Sequence, residues 1–236
     1  MRAIVVAGGD PPDRAALDAA WPGWDRPCDI VVAADRGALT ALALGLRPDV
    51  VVGDVDSLGA DEAHRLAAAG IPFERVPAEK DETDTELALL VALRRDAAAV
   101  AILGALGGPR IDHALANIAL LAHPALAGRP VEILDERTRI RLLTAGPRGP
   151  GRLDLRGRVD DTVSLIPVGD AARGVTTHGL AYPLTGDDLP AGPARGVSNV
   201  RTAVDARVAL ASGLLLVVEI ADGMGTPHPS SIGGAS

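Results

Sequence analysis

The chain has a single cysteine, Cys28, in 236 residues. No intrachain disulfide can form, and a structural zinc site made of cysteines is excluded. Aromatic residues are nearly as scarce, at 2%. A core with so few rings must be aliphatic, and single-stranded nucleic acid finds no set of stacking platforms. Basic charge is also lacking. The formal net charge is −8 and the pI near 5.1, whereas a binder of phosphate backbones needs a positive face. No apolar run approaches the length of a membrane span. The opening MRAIVVAGGD reads as a strand and not as a secretory signal. The expectation is a cytoplasmic protein that binds neither nucleic acid nor membrane.

What is present is aliphatic: hydrophobic residues make up 47% of the chain, and the length allows one large domain or two small ones. The first half alternates short apolar runs with alanine- and leucine-rich stretches. Strands are expected at Ala3–Ala7, Ile30–Ala33, Val50–Val52, Phe73–Val76, Val100–Leu103 and Val131–Leu134. Helices are expected between them, at Pro12–Ala20, Gly37–Leu44, Ala60–Ala69, Thr83–Arg95 and Asp112–Leu121. That alternation is the pattern of βαβ units, and the near-continuous apolar strands suit a parallel sheet covered on both faces.

A glycine- and proline-rich loop, GPRGPG, separates this half from a different grammar. Short runs at Thr162–Ile166, Ala172–Thr177, Val200–Ala206 and Leu214–Ile220 are divided by turn residues, with no long helical pattern. The expected fold is an α/β domain over residues 1–145 and an all-β, sandwich-like domain over 146–223, with a mobile tail at 224–236.

Ligands of open α/β sheets bind outside the carboxyl ends of the strands. Polar or glycine clusters recur at that edge. They are Gly8-Gly9-Asp10, Ala34-Asp35-Arg36-Gly37, Gly53-Asp54-Val55-Asp56, Lys80-Asp81-Glu82-Thr83-Asp84, and Gly104 through Asp112. In VVGDVDSL, Asp54 and Asp56 leave the third strand one residue apart, a spacing that lets two carboxylates converge on a hard cation such as Mg2+. A helix cap at Asp56 or Ser57 would account for one acid and leave Asp54 unexplained.

In KDETDTELALL, Thr83 and Glu86 make a capping box. Asp81 and Asp84, three apart, are left over, and with Asp54 and Asp56 they would form a four-carboxylate basin that calls for a cation. In GALGGPRIDHALANIALL, Gly104, Gly107 and Gly108 permit close approach of a phosphate ahead of a helix start. Arg110 offers a planar donor fork. Asp112 is the natural N-cap, with His113 and Asn117 four apart on one helical face. The loop is neither a Walker A motif nor a dinucleotide fingerprint. Cys28, His64, His123, His178 and His228 show no metal-ligand spacing and read as structural. From the residues alone the chain is a cytosolic α/β enzyme for a metal-complexed phosphate compound.

The order of motifs resembles the thiamine pyrophosphokinase (thiamin diphosphokinase) family. The resemblance is carried by AADRGA at 33–38, RPDVVVGDVDSL at 47–58, KDETDTELAL at 80–89 and GALGGPRIDHALANI at 104–118. It continues with DERTRI at 135–140, VSLIPV at 163–168, GLAYPL at 179–184 and RGVSN at 195–199. It implies transfer of the pyrophosphoryl group of ATP to the hydroxyl of thiamine, giving thiamine diphosphate and AMP. It implies Mg2+ and phosphates held by Asp54, Asp56 and Asp84 with Asp81 beside them. Phosphate or nucleotide contacts are implied for Asp35, Thr83, Gly107, Gly108 and Arg110, a catalytic part for Arg110 and Asp112, and a thiamine side at Ser198 and Asn199. It further implies a homodimer with sites shared between subunits. Pro109 is an extra residue before Arg110, and Val200 stands where many members carry Glu. Two other readings use the same residues: transfer to a different acceptor alcohol, and a non-catalytic nucleotide-binding module.

Overall fold

Each apolar run read as a strand in the first half is a strand in the structure. This computed structural model describes residues 1–54, 58–76, 79–146 and 149–222. The first-half strands are β1 (Arg2–Val6), β2 (Ile30–Ala34), β3 (Val50–Gly53), β4 (Phe73–Arg75), β5 (Ala99–Leu103) and β6 (Val131–Leu134). They pair in parallel in the order β6-β5-β1-β2-β3-β4. A strand that the apolar pattern did not announce, β7 (Thr138–Ala145), pairs antiparallel with β6. The chain lays strands outward from β1 as far as β4, then returns to the other flank of β1 for β5. Such a reversal splays the loops at the carboxyl ends of the two flanking strands and opens a crevice.

The α-helices among the described residues are α1 (Arg14–Ala20), α2 (Gly37–Ala43), α3 (Ala60–Ala68), α4 (Asp84–Arg94) and α5 (Ile111–Ala119). Strand side chains alternate between faces, and the two cores follow that alternation. Val5, Val32, Val52 and Ile102 pack with Ala88, Leu89 and Val91 of α4, while Ala33 and Val51 pack with Ala38 of α2 and Leu66 of α3. The aliphatic composition suffices because Ala, Val and Leu fill both layers.

Helix starts follow local chemistry. The Asp13 carboxylate accepts from Ala16 N at 2.8 Å at the head of α1. Thr83 Oγ1 accepts from Glu86 N at 3.2 Å at the head of α4, as the capping pattern requires. The head of α5 differs from expectation. Its cap position is Arg110, with no side-chain cap bond, and Asp112 lies inside the first turn. The carboxylate of Asp112 is held by Arg110 and so does not cap the helix.

The described chain forms two compact units. One comprises Met1–Leu142 with Leu216–Val218; the other comprises Leu143–Leu215 with the described residues from Glu219 on. In the second unit, β8 (Gly151–Asp154), β10 (Ala172–His178), β11 (Thr185–Leu189) and β13 (Arg207–Leu210) form an antiparallel sheet in the order β11-β10-β13-β8. β9 (Thr162–Pro167) is flanked by β12 (Asn199–Val200) and β14 (Gly213–Ile220). The strand expected at Val200–Ala206 is corrected to β12 and β13 with a turn between. The buried guanidinium of Arg201 donates to the carbonyls of Ala203 and Val204 and folds that turn. Glu219, 1% exposed, accepts from Arg156 N at 2.6 Å and Gly157 N at 3.0 Å, so this buried carboxylate is a structural acceptor.

Leu89 is fully buried where α4 meets the sheet. Leu89→Ala is expected to cost about 2–5 kcal/mol, lowering Tm by roughly 5–15 °C. A thermal melt followed by circular dichroism measures this, and a shift under about 2 °C would contradict the packing described.

Candidate active site

Three loop systems meet where the strand order reverses. Ala7 N donates to Leu103 O at 2.8 Å and Gly9 N to Gly104 O at 2.9 Å, so the loop after β1 is laced to the loop after β5. A Cβ on Gly9 would come within 2.5 Å of Gly104 O; only glycine permits this approach. Asp10 extends the lacing, its Oδ2 accepting from Gly108 N at 2.7 Å. From the other side, buried Asn117 on α5 donates from Nδ2 to Ala105 O at 2.9 Å. The glycine loop is therefore held at both ends, and Gly107 and Gly108 stay exposed between them.

The loop after β2 brings Asp35 to the same place. Asp35 is 7% exposed and adopts a left-handed backbone, with φ 44°. Its carboxylate lies against the backbone of Gly53 at the end of β3, where a Cβ would overlap Asp35 Oδ1 and where φ is 145°. A side chain at position 53 would thus evict the acid. Asp54 follows directly and is partly buried.

A cleft of about 470 Å3 opens among these loops, lined by Asp35, Thr83, Asp84, Gly107, Gly108 and Arg110, with Asp10, His113 and Asn117 also on its wall. Six residues read from the sequence as phosphate or metal contacts thus share one cavity. Asp54 and Asp81 are not among its lining residues, and Asp81 is exposed. Asp56 lies outside the described residues. Among the described residues no three His, Cys, Asp or Glu side chains form a group able to hold a metal ion. Ser198 and Asn199 belong to the second unit. Ser198 is exposed with φ 61°, and its N–H donates to Ser164 Oγ at 3.0 Å. Asn199 is buried; its Oδ1 accepts from Tyr182 N at 3.0 Å and its Nδ2 donates to Tyr182 O at 2.7 Å. That amide holds the Tyr182 segment, while Tyr182 itself is 70% exposed.

Two contributors were not singled out from the sequence. Asp10 was read only as part of a polar loop, because its partner is 98 residues away. Lys80 was read only as a loop residue, although its spacing of four from Asp84 is a signal the sequence does carry. Its Nζ bonds Asp84 Oδ1 at 2.6 Å, with the lysine side chain 11% exposed. Burial works to lower the pKa of Lys80, but the hydrogen bond and charge of Asp84, with the charges of Asp54 and Asp35, outweigh it and raise the pKa. The lysine stays cationic, and its position marks where positive charge is stabilised beside the cleft.

Arg110 and Asp112 form a two-pronged pair, Nε to Oδ1 at 2.9 Å and Nη2 to Oδ2 at 2.6 Å. The Arg110 hydrogen bond is the main reason that the pKa of Asp112 falls to about 2, and the pair raises that of Arg110. Both side chains are solvent-exposed, so the pair orients the guanidinium at the cleft mouth and adds little stability.

A parallel α/β protein with its ligand cleft at the switch point of the sheet is the class these features define. Two family models match in chain order: "Thiamin pyrophosphokinase, catalytic domain" over residues 24–133 and "Thiamin pyrophosphokinase, vitamin B1 binding domain" over residues 152–215. The chain is 29% identical over 219 residues to the thiamine pyrophosphokinase of Bacillus subtilis (strain 168), covering 92% of this chain and 98% of that protein. The crystal structure of thiamin pyrophosphokinase from Geobacillus thermodenitrificans matches with TM-score 0.77 and 30% identity, over 95% of this chain and 99% of that one. That of a thiamin pyrophosphokinase family protein from Enterococcus faecalis matches with TM-score 0.77 and 31% identity, over 94% and 100%. The chain belongs to the thiamin pyrophosphokinase family.

The ion pair at the cleft mouth has a direct signature. Asp112 has its pKa depressed, so it is ionised throughout neutral and mildly acidic pH and protonates only as pH falls to about 2. Arg110→Ala is expected to return the midpoint toward the ordinary aspartate value, roughly 3.9. The carboxyl carbon shift of Asp112 in an NMR pH titration reads this, and an unmoved midpoint would contradict the pairing.

Proposed function

We propose that this chain transfers the pyrophosphoryl group of ATP to the primary hydroxyl of thiamine, releasing AMP and thiamine diphosphate. One observation carries the reading: Asp35, Thr83, Asp84, Gly107, Gly108 and Arg110 line one cleft at the switch point. The family membership supplies the identity of the substrates, with residues 1–145 as the catalytic half and 146–223 as the thiamine side.

In this reading Gly107 and Gly108 offer backbone N–H groups to phosphate oxygens at the start of α5, and Arg110 adds its fork. Thr83 and Asp35 border the nucleotide. The residues that would hold Mg2+ are Asp54, Asp56 and Asp84, with Asp81 beside them. The chemistry of the donors suits the ion, since hard carboxylate oxygens favour a hard divalent cation, and the ammonium of Lys80 already bonds Asp84, a stand-in positive charge at the cleft rim. Bound there, the ion would neutralise charge on the diphosphate as it moves. The hydroxyl attacks the β-phosphorus in line and AMP departs, a reaction driven mainly by positioning and electrostatics. Asp112 keeps Arg110 aimed, and Ser198 and Asn199 serve the thiamine side, Asn199 through the Tyr182 segment it holds.

We further propose a cytoplasmic homodimer with sites shared between subunits. No described helix is long and apolar enough to cross a membrane.

Purified protein given ATP, Mg2+ and thiamine is expected to form AMP and thiamine diphosphate in equal amounts. AMP formed without thiamine, or none at all, would sink the reading. Asp54→Asn and Asp84→Asn are each expected to lower kcat by at least about a hundredfold, within the range for loss of a charge that stabilises the transition state, with the melting curve preserved. Near-parent rates at limiting Mg2+ would remove that residue from the metal site. Light scattering should give a mass near twice 24.0 kDa; a monomeric mass at working concentration would exclude the shared site.

A further inference from the structure

Lys80 has been given no contact with substrate above, yet its ammonium is held on the acidic rim. Its side chain is 11% exposed and its ammonium bonds Asp84 Oδ1 at 2.6 Å, while the charges of Asp54 and Asp35 act on it as well. These acids come from three places: the turn after β2, the end of β3 and the first residue of α4. Like charges gathered at one sheet edge destabilise each other unless a cation lies among them. A lysine suits a temporary post of this kind. Its ammonium is a compact charge on a flexible four-carbon stem, with no planar fork to lock it to one carboxylate.

We propose that Lys80 is a resident counter-ion: it neutralises Asp84, Asp54 and Asp35 before ligand enters. It then surrenders Asp84 to an arriving divalent cation and turns to the phosphate oxygens that accompany it. The inference rests on the reading of Asp54 and Asp84 as metal ligands. Asp84 cannot bond the ammonium and a metal ion through the same oxygen without bringing two cations into contact. Lys80 therefore opposes binding of the metal alone and favours binding of the metal with its nucleotide. The two effects have opposite signs. A lysine that merely props up the loop would, on removal, weaken both.

Manganese alone, titrated into the full chain without nucleotide and followed by the electron paramagnetic resonance of the free ion, reads the first effect. Lys80→Met is expected to bind Mn2+ about tenfold more tightly than the parent, the change equivalent to one pK unit of charge coupling. Lys80→Arg keeps the cation and adds a fork that locks onto Asp84, so it is expected to bind Mn2+ no more tightly than the parent. Calorimetry with ATP and Mn2+ together should show Lys80→Met binding more weakly than the parent. Lys80→Gln carries the same expected signs and replaces the Met variant if that protein does not fold. If the parent and the uncharged variant bind Mn2+ equally, or the variant more weakly, the counter-ion role is overturned and the metal reading stands. If neither protein binds Mn2+, the metal reading fails and the counter-ion role fails with it.

Discussion

The backbone contact between the loops after β1 and β5 is the constraint on which the cleft depends. Gly9 and Gly104 come together closely enough to share an N–H···O bond of 2.9 Å, and a Cβ on Gly9 would prevent it. That contact sets the glycine loop beside the turn after β2, and Asp10 and Asn117 then fix its two ends. Parallel pairing at β1 supplies the geometry, since the strands on either side of it run the same way and release their loops at one edge. The binding chemistry is thus a by-product of strand order made precise by one missing side chain.

A second regularity concerns charge. Arg110 is held by Asp112, Lys80 by Asp84, and the N–H of Gly108 by Asp10. These three groups suited to a phosphate already have an internal partner of the right sign, and Asp84 already holds a cation. At these three groups ligand binding is an exchange of partners rather than the filling of a bare site. Exchange lowers net affinity, because each new ion pair replaces an old one. It keeps the unliganded loops ordered in return.

What was legible in the sequence follows from burial. The parallel strands are covered on both faces and so read as unbroken apolar runs, as Val50–Val52 and Ala101–Leu103 illustrate. Thr83 and Glu86 announced the head of α4 because capping is local chemistry. The misses have equally local reasons. β11 reads TGDDL, with Leu189 its one apolar side chain, and carries no hydrophobic pattern to detect. β7 alternates Arg with Ile and Leu and resembles a loop with scattered apolar residues. Asp112 looks like a cap until Arg110, two residues earlier, claims its carboxylate. Asp10 pairs with Gly108 across a sequence gap that no spacing rule spans. The bonds of Asn199 to Tyr182, 17 residues away, are likewise beyond any spacing rule.

The course of β14 has a consequence for biosynthesis. Leu216 and Val218 pack against the core of the first unit, while the residues on either side of Leu216–Val218 belong to the second. A ribosome delivers the chain from its N-terminus, and domains that are contiguous in sequence can finish folding as they emerge. The first unit lacks that freedom. Its core is not fully covered until residue 218 has left the exit tunnel, by which time the second unit has almost wholly appeared. A nascent chain stalled before residue 216 would expose the aliphatic surface that Leu216 and Val218 cover.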